Sequence, residues 1–310
     1  MARIKKDQPS GKIGNVIYRQ TRFGLVVAQA PAKPAKPSRS EKQMRIRTQM
    51  ANLSANCRMY RDAVNGLPFT HSTGSGQAYG LPLKADLFFE DKQPQHTLYN
   101  LFLKVNYNHC PVYLTQPETR AGGCVVAPCQ FSRGTLDVIA YGLDACGLLV
   151  SGLKLGELVI VEDTTVAELS EAIIGHNDGW QEGDELCFLH AKQCTDEFCA
   201  VPRATMEGWC LRLDTTDCAS RRKVYDEVNP VGFSSLPLTA YCLQDGPLAG
   251  SGTYCLGMGK PLVDGGAAWL HLRRKGTRAQ ASPQRLYVVN PLYDQYRTEE
   301  VFEAAVKSYR

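Results

Sequence analysis

The sequence predicts a mainly β protein of the α+β type, with an N-terminal β-hairpin arm and a long helix before an antiparallel, sandwich-like body with two short helices. Two observations support this class. Short β-prone runs recur after residue 83, and turn signals such as Asp245-Gly246 separate them. One long helical repeat stands between residues 41 and 64. No apolar run reaches the roughly 18 residues of a membrane span, so we expect no membrane partner.

The arm opens with a predicted hairpin over residues 11–29. Residues 16–18 and 25–27 are β-prone, and Gly24 supplies the turn between them. Residues 31–37 follow as a linker with a proline at every third position and two lysines. Such a segment is extended and semi-rigid, because it has nothing to bury.

A helix is predicted directly after the linker, since Ser40 and Gln43 match a capping box. Its apolar residues recur at spacings of four and three, which places them on one stripe. The stripe consists of Ile46, Met50, Leu53, Cys57, Tyr60 and Val64. It can pack on its own domain, or on a copy or partner as in a short coiled coil. Asn65-Gly66 ends the helix. The predicted organisation is therefore an arm over residues 1–65, a loop over 66–82 and a β-rich body over 83–310, with one core or two.

The body is predicted to contain nine strands and two helices. The first helix is capped by Thr165 with Glu168 at the third position, and the second follows Thr298. The predicted strands are 101–107, 124–131, 135–141, 158–162, 185–192, 209–213, 238–243, 267–273 and 285–290.

Positive charge is concentrated in the arm. Residues 1–61 hold 14 Lys or Arg and two acids, a net +12, whereas the other 249 residues hold 21 bases and 29 acids, a net −8. We therefore expect the arm to bind an acidic surface. This surface could belong to nucleic acid, to a partner protein or to the body of a neighbouring copy. The candidate interaction residues are Lys12, Arg19, Arg22, Lys33, Lys36, Arg39, Arg45, Ile46, Met50, Leu53, Cys57 and Tyr60.

Little in the sequence indicates chemistry. Many of the twelve cysteines stand among apolar neighbours, and no export signal is present, which favours reduced, buried thiols in a cytoplasmic protein. A weak zinc candidate combines Cys187, His190, Cys194 and Cys199. However, an offset of three along a strand places Cys187 and His190 on opposite faces. We therefore expect no metal or cofactor, and no catalytic motif points to an enzyme.

Two blocks of the chain carry distinctive motifs. The opening block has Gly11-Lys12-Ile13-Gly14-Asn15-Val16, the proline-spaced link to Pro37 and Glu41-Lys42-Gln43. It resembles the Gly-Lys-x-Gly-Asn hairpin, basic link and helix start of a family of uncharacterised bacterial and prophage-borne proteins. The tail, with Gly265-Gly266-Ala267-Ala268, Leu286-Tyr287-Val288-Val289 and Ser308-Tyr309, is similar to its larger members. The chain departs from the family at Gln29 and Leu272, where the family usually has a basic residue and a serine. The resemblance implies a phage-like or assembly context, and so the cytoplasm or a virion.

The arm-plus-body layout predicts a non-enzymatic structural or assembly protein that associates with itself or a neighbouring protein. The alternative is a nucleic-acid-binding protein that contacts phosphates without reading sequence. Docking on a subunit would depend on the apolar stripe and the hairpin register, whereas phosphate binding would depend on the Lys and Arg side chains.

Overall fold

The structure is a computed structural model, and it describes residues 3–5, 8–21, 24–30, 40–65, 84–109, 123–194, 202–228, 238–242, 253–275 and 278–289. The chain divides into two compact units, Met1–Gln43 and Met44–Arg310. No helix in these described ranges is long and apolar enough to cross a membrane.

The first unit is a four-stranded antiparallel meander. Its strands are β1 (Arg3–Lys5), β2 (Gln8–Ile13), β3 (Val16–Thr21) and β4 (Gly24–Gln29), in that spatial order. The predicted hairpin is confirmed, because β3 pairs with β4 from Val16↔Gln29 to Thr21↔Gly24. Gly14 lies in the turn between β2 and β3 with φ +59°, a left-handed conformation that favours glycine. Strands β1 and β2 were not expected from the sequence.

The long helix α1 (Glu41–Asn65) is present, and the Gln43 amide donates to Ser40 Oγ at 3.3 Å as the capping signal predicts. The expected boundary between arm and body at residue 65 is wrong. The division between compact units falls at Gln43, so nearly all of α1 belongs with the body. The physical reason is burial, because Leu53, Tyr60 and Val64 are buried in the core of the second unit.

The described part of the body forms two antiparallel sheets. The four-stranded sheet has the order β5 (Tyr141–Leu143), β6 (Leu149–Gly156), β10 (Tyr254–Met258) and β9 (Leu238–Cys242). The five-stranded sheet has the order β12 (Arg278–Ala281), β11 (Gly265–Lys275), β7 (Glu185–Cys194) and β8 (Arg203–Arg212), with β13 (Tyr287–Val289) also paired to β11. The other helices are α2 (Leu98–Asn106), α3 (Val166–His176) and α4 (Val224–Val228). The mainly β class is therefore confirmed.

The five-stranded sheet is buried on both faces. Along β11, Trp269 joins one apolar cluster with β6, β10 and α3, while Leu270 joins the other with α1 and α2. Strands covered on both faces need apolar side chains at successive positions, as β11 has. The sandwich-like arrangement is thus made by the two sheets, and α1 and α2 form a further layer on the outer face of the larger one.

Several predicted strands are wrong. Residues 101–107 lie largely in helix α2, whose start is set by Thr97, since its hydroxyl accepts from the Asn100 amide at 3.2 Å. Residues 158–162 form a loop, in which Val159 and Val161 are exposed and no ladder partner is present within the described ranges. The helix capped by Thr165 and Glu168 is confirmed with both capping hydrogen bonds. The helix expected after Thr298 lies outside the described residues.

Candidate functional site

The N-terminal sheet has a surface that we call the apolar face. In an antiparallel sheet, directly opposed residues share a face, and neighbours along a strand alternate. Ile13 opposes Val16 and Tyr18 opposes Val27. Leu25 lies two residues from Val27 and therefore shares its face. The register thus gathers five apolar side chains from three consecutive strands on one side of the sheet.

The apolar face is open to solvent. Ile13, Leu25 and Val27 are 46%, 43% and 56% exposed, and Val16 and Tyr18 are half-buried. Strand β4 is the last in the spatial order, and all six of its residues are exposed. It contains no charge and no proline, the two devices that most often prevent an edge strand from pairing with another chain. This face and edge are therefore suited to contact another protein.

The opposite side of the same sheet, which we call the basic face, carries both basic and apolar side chains. Lys12 opposes Ile17, and Arg19 opposes Val26, so the two basic side chains share this face and both are exposed. The other basic interaction candidates cannot be placed with them. Arg22, Lys33, Lys36 and Arg39 lie outside the described residues, as does the side chain of Arg45.

Most of the helical stripe is core and not an interaction surface. Leu53, Cys57 and Tyr60 are buried, and the Tyr60 ring stacks on Phe102 with centroids 5.7 Å apart. The Tyr60 hydroxyl donates to the Ala85 carbonyl at 3.2 Å. Towards the start of α1, Ile46 is exposed and Met50 is half-buried. Of the alternatives for this stripe, the geometry favours a helix that packs on its own domain.

Two asparagines of α1, Asn52 and Asn56, form what we call the amide clamp, which holds the backbone of residues 125–127. Asn52 Oδ1 accepts from the Val125 amide at 2.8 Å, and its Nδ2 donates to the Val125 carbonyl at 3.1 Å. Asn56 Nδ2 donates to the same carbonyl at 2.9 Å, and its Oδ1 accepts from the Ala127 amide at 3.1 Å. On β7, Gln193 Oε1 accepts from the Val126 amide at 2.8 Å. The clamp and Gln193 thus provide hydrogen-bond partners for the buried backbone of residues 125–127, an extended segment that the sequence predicts as part of a strand.

The weak zinc candidate does not come together among the described residues. Cys187 is buried on the side of the sheet that carries α1, whereas His190 lies on the other face, near Phe188 and with Nδ1 3.3 Å from Glu207 Oε1. This is the opposite-face placement that the strand offset predicts. The side chain of Cys194 and the whole of Cys199 lie outside the described residues.

Cys187 instead belongs to a buried cluster with Cys210 and Glu185. The two Sγ atoms are 2.9 Å apart, and Cys210 Sγ donates to Glu185 Oε2 at 3.5 Å. Arg274 Nε lies 2.8 Å from Glu185 Oε1, which pairs the buried carboxylate with a cation. Potential ligand atoms of Glu185, Cys187 and Cys210 lie within 4.8 Å of one another. Cys210 and Glu185 are 25 residues apart in sequence, so no local motif could have revealed this cluster.

A second buried polar cluster surrounds Asp184. Its carboxylate accepts from His271 Nε2 at 2.7 Å and from Arg273 Nε and NH2, each at 2.7 Å. Trp180 stacks on the His271 ring with centroids 3.7 Å apart. Burial alone would raise the pKa of Asp184, but the hydrogen bonds from Arg273 and His271 outweigh it and lower the pKa below its ordinary value. The cluster joins the start of β7 to β11 and therefore serves the fold.

A surface pocket of about 490 Å³ is lined mostly by polar and charged residues. Its charged groups already bind one another or the backbone, because Glu90 accepts from the Thr135 amide at 2.9 Å and Arg133 lies 3.2 Å from Asp91. It is lined by Glu90, Asp91, Gln130, Arg133, Gly134, Thr135 and Pro283.

No protein-family model, no curated protein and no solved structure matches this chain. The buried clusters described above stabilise the core of the body. The apolar face, in contrast, leaves large apolar side chains exposed to solvent.

Proposed function

We propose that this is a non-enzymatic structural or assembly protein, whose N-terminal sheet docks on a neighbouring copy of the same chain. The observation that carries the proposal is the apolar face, on which Ile13, Leu25 and Val27 stand 43–56% exposed. Three large apolar side chains aligned by the register of one small sheet form a contiguous patch, and such patches are typical of protein-binding surfaces.

Charge supports a second copy as the partner. The unit Met1–Gln43 holds 10 Lys or Arg and two acids, a net +8. The unit Met44–Arg310 holds the other 25 bases and 29 acids, a net −4, and the two sum to the +4 of the chain. Each copy thus offers a basic arm and an acidic body, so that the arm of one is attracted to the body of the next.

Head-to-tail docking of this kind generates rings or filaments, depending on whether the rotation between copies closes. The resemblance of residues 11–16 to prophage-borne proteins agrees with a building block of a phage-related assembly, located in the cytoplasm or in a virion. The arm would be the connector, and the two-sheet body with its helical layer would be the block.

The test is the mass of the protein in solution by light scattering, across a range of concentrations. We expect the full chain to form assemblies and a variant that lacks residues 1–43 to be smaller. Val27→Asp should also dissociate the assembly, because it places a charge in the apolar contact. Val26→Asp is the matched control, since Val26 is the preceding residue of β4, is similarly exposed and points to the basic face.

Three outcomes would contradict docking through the apolar face. The first is a full chain that stays monomeric at every concentration. The second is an assembly that survives Val27→Asp. The third is an equal loss of mass in Val26→Asp and Val27→Asp, which would point to the β4 edge or to a general effect of charge.

A second candidate function is binding of nucleic acid without sequence readout. The observation that favours it is that Lys12 and Arg19 share an exposed face. On this alternative, Lys12→Glu and Arg19→Glu would weaken binding of single- or double-stranded nucleic acid, and the affinity would fall steeply with salt through counterion release. Val27→Asp would leave such binding nearly unchanged. The two functions therefore require opposite faces of the same sheet.

A further inference from the structure

The five-stranded sheet carries two cysteines that oppose each other directly, Cys187 on β7 and Cys210 on β8. In the same antiparallel pair, the Leu213 amide donates to the Asp184 carbonyl at 2.7 Å. Hydrogen-bonded and non-hydrogen-bonded pairs alternate, so the cysteine pair three steps along is of the non-hydrogen-bonded kind. In such a pair the Cα atoms are about 4.5 Å apart, which is within the range that a disulfide spans.

The two thiols and a carboxylate form a chain of hydrogen bonds. The Cys187 thiol donates to the Cys210 sulfur at 2.9 Å, and the Cys210 thiol donates to Glu185 Oε2 at 3.5 Å. Arg274 Nε holds both carboxylate oxygens, at 2.9 and 2.8 Å. A nucleophile within hydrogen-bond reach of a base, which is itself oriented by a third group, is the arrangement that activates nucleophilic side chains.

We propose that Cys187 and Cys210 are an oxidative modification site, at which a peroxide converts the two thiols into a cross-strand disulfide with Glu185 as the proton acceptor. The site lies in the body and is independent of the docking function proposed for the arm.

The reaction balances with one peroxide molecule. Glu185 takes the proton of Cys210, and the thiolate attacks one peroxide oxygen, which forms a sulfenic acid and releases the other oxygen as hydroxide. Glu185 returns its proton to that hydroxide, and the first water leaves. The Cys187 sulfur then attacks the Cys210 sulfur, its proton joins the departing hydroxide, and the second water leaves. Each sulfur gives up one electron, and both peroxide oxygens end as water.

The environment explains why Glu185 is needed. The hydrogen bond with Cys187, burial and the nearby charges of Cys187 and Glu185 raise the pKa of Cys210 well above its ordinary value. The thiol therefore does not ionise into solvent at neutral pH, and its proton has to pass to a neighbouring base. Burial raises the pKa of Glu185 although Arg274 opposes it, which makes this carboxylate a stronger base than an exposed one.

The same three side chains could hold a thiophilic ion, but they fit an ion less well. Structural zinc takes four ligands in a tetrahedral set, and the cluster found in the described ranges offers three. The carboxylate is also held by the Arg274 cation on both oxygens. Zinc binding is therefore an outcome that the test must distinguish.

The experiment treats the full-length, metal-free protein with hydrogen peroxide, blocks remaining thiols in denaturant and maps the peptides by mass spectrometry. We expect a peptide pair joined through Cys187 and Cys210, lighter by two hydrogen atoms and separated again by dithiothreitol. The pair should form faster than any oxidation product of Cys57 or Cys255, which are also buried. Cys187→Ser should instead stop at a sulfenic acid on Cys210, which a dimedone-type reagent would trap.

Glu185→Gln and Glu185→Asp separate the chemistry from the packing. Gln removes the base and should slow formation of the bridge by at least about tenfold, whereas Asp keeps a carboxylate and should restore most of the rate. Circular dichroism checks that each variant is folded. A bridge that forms only in denatured protein, or equally fast in Gln and Asp variants, would overturn the proposal. So would stoichiometric zinc in the purified protein that is lost in Cys187→Ser and in Cys210→Ser.

Discussion

The amide clamp between α1 and residues 125–127 makes a quantitative prediction about coupling. In Asn52→Ala the Val125 amide loses its acceptor, but the Val125 carbonyl keeps the donor from Asn56. In Asn56→Ala the Ala127 amide loses its acceptor, and the Val125 carbonyl keeps the donor from Asn52. An orphaned buried donor costs roughly 1–3 kcal/mol, so each single variant should lose about 2 kcal/mol of unfolding free energy.

The double variant should lose more than the sum. Only when both asparagines are gone does the buried Val125 carbonyl lose both side-chain donors. This adds a third cost of roughly 1–3 kcal/mol, and the total of about 6 kcal/mol approaches the whole stability of many domains. The double-mutant cycle should therefore show a coupling of about 2 kcal/mol.

Urea unfolding followed by circular dichroism measures all four proteins of the cycle. Arg58→Ala is the matched control, because Arg58 is exposed on the same helix, and it should change the unfolding free energy by less than about 0.5 kcal/mol. Additive losses within about 0.5 kcal/mol would show that the two asparagines do not share the Val125 carbonyl in solution. Single variants no worse than Arg58→Ala would refute the clamp altogether.

Three further predictions follow from burial and charge. A thiol reagent at pH 8 should label Cys146 in the native protein, because this cysteine is exposed. It should not label Cys57, because burial raises the pKa of this thiol to about 11, whereas in denaturant all twelve thiols should react. The advantage of wild type over Asp184→Asn in unfolding free energy should be full above the ordinary pKa of 3.8 and should shrink as pH falls below it, because the folded pKa is lowered; a gap that is constant down to pH 2 would contradict this. Removal of residues 1–43 should leave cooperative thermal unfolding intact, whereas removal of residues 1–65 should abolish it, because Leu53 and its neighbours in α1 are core; equal behaviour of the two would be evidence against that role.

The sequence predicts elements well where the signal is local. The hairpin depends on a turn residue and two β-prone runs, and the register confirms it from Val16 to Gln29. Thr165 and Glu168 form a capping box that lies within one turn, and both of its hydrogen bonds are present. In these cases the residues that decide the structure are neighbours in the chain, so no knowledge of the tertiary fold is required.

The sequence predicts less well where the structure depends on residues that are distant in the chain. Residues 158–162 alternate as a strand does, with Leu158 and Ile160 packed on the core and Val159 and Val161 exposed. The segment is nevertheless a loop, because alternation shows which side chains are buried but does not provide a strand to pair with. The buried role of Asn52 and Asn56 is likewise hidden from local patterns, since their partners lie about 70 residues away.

The size of the apolar face indicates what kind of assembly the arm can support. Full burial of a Val, Leu or Ile side chain contributes about 1.5–3 kcal/mol relative to full exposure. Ile13, Leu25 and Val27 are about half buried already, so docking would gain about half of this energy from each. Counting Val16 and Tyr18 as well, docking would gain roughly 3–6 kcal/mol from this face. Association of two molecules costs about 4–15 kcal/mol in lost freedom, so one arm on one neighbour would be marginal. An arm of this size becomes effective when two copies exchange arms or when a ring closes, because one association step then forms two contacts. The +8 arm and the −4 body favour such mutual exchange over isolated pairs, since every copy carries both partners of the contact.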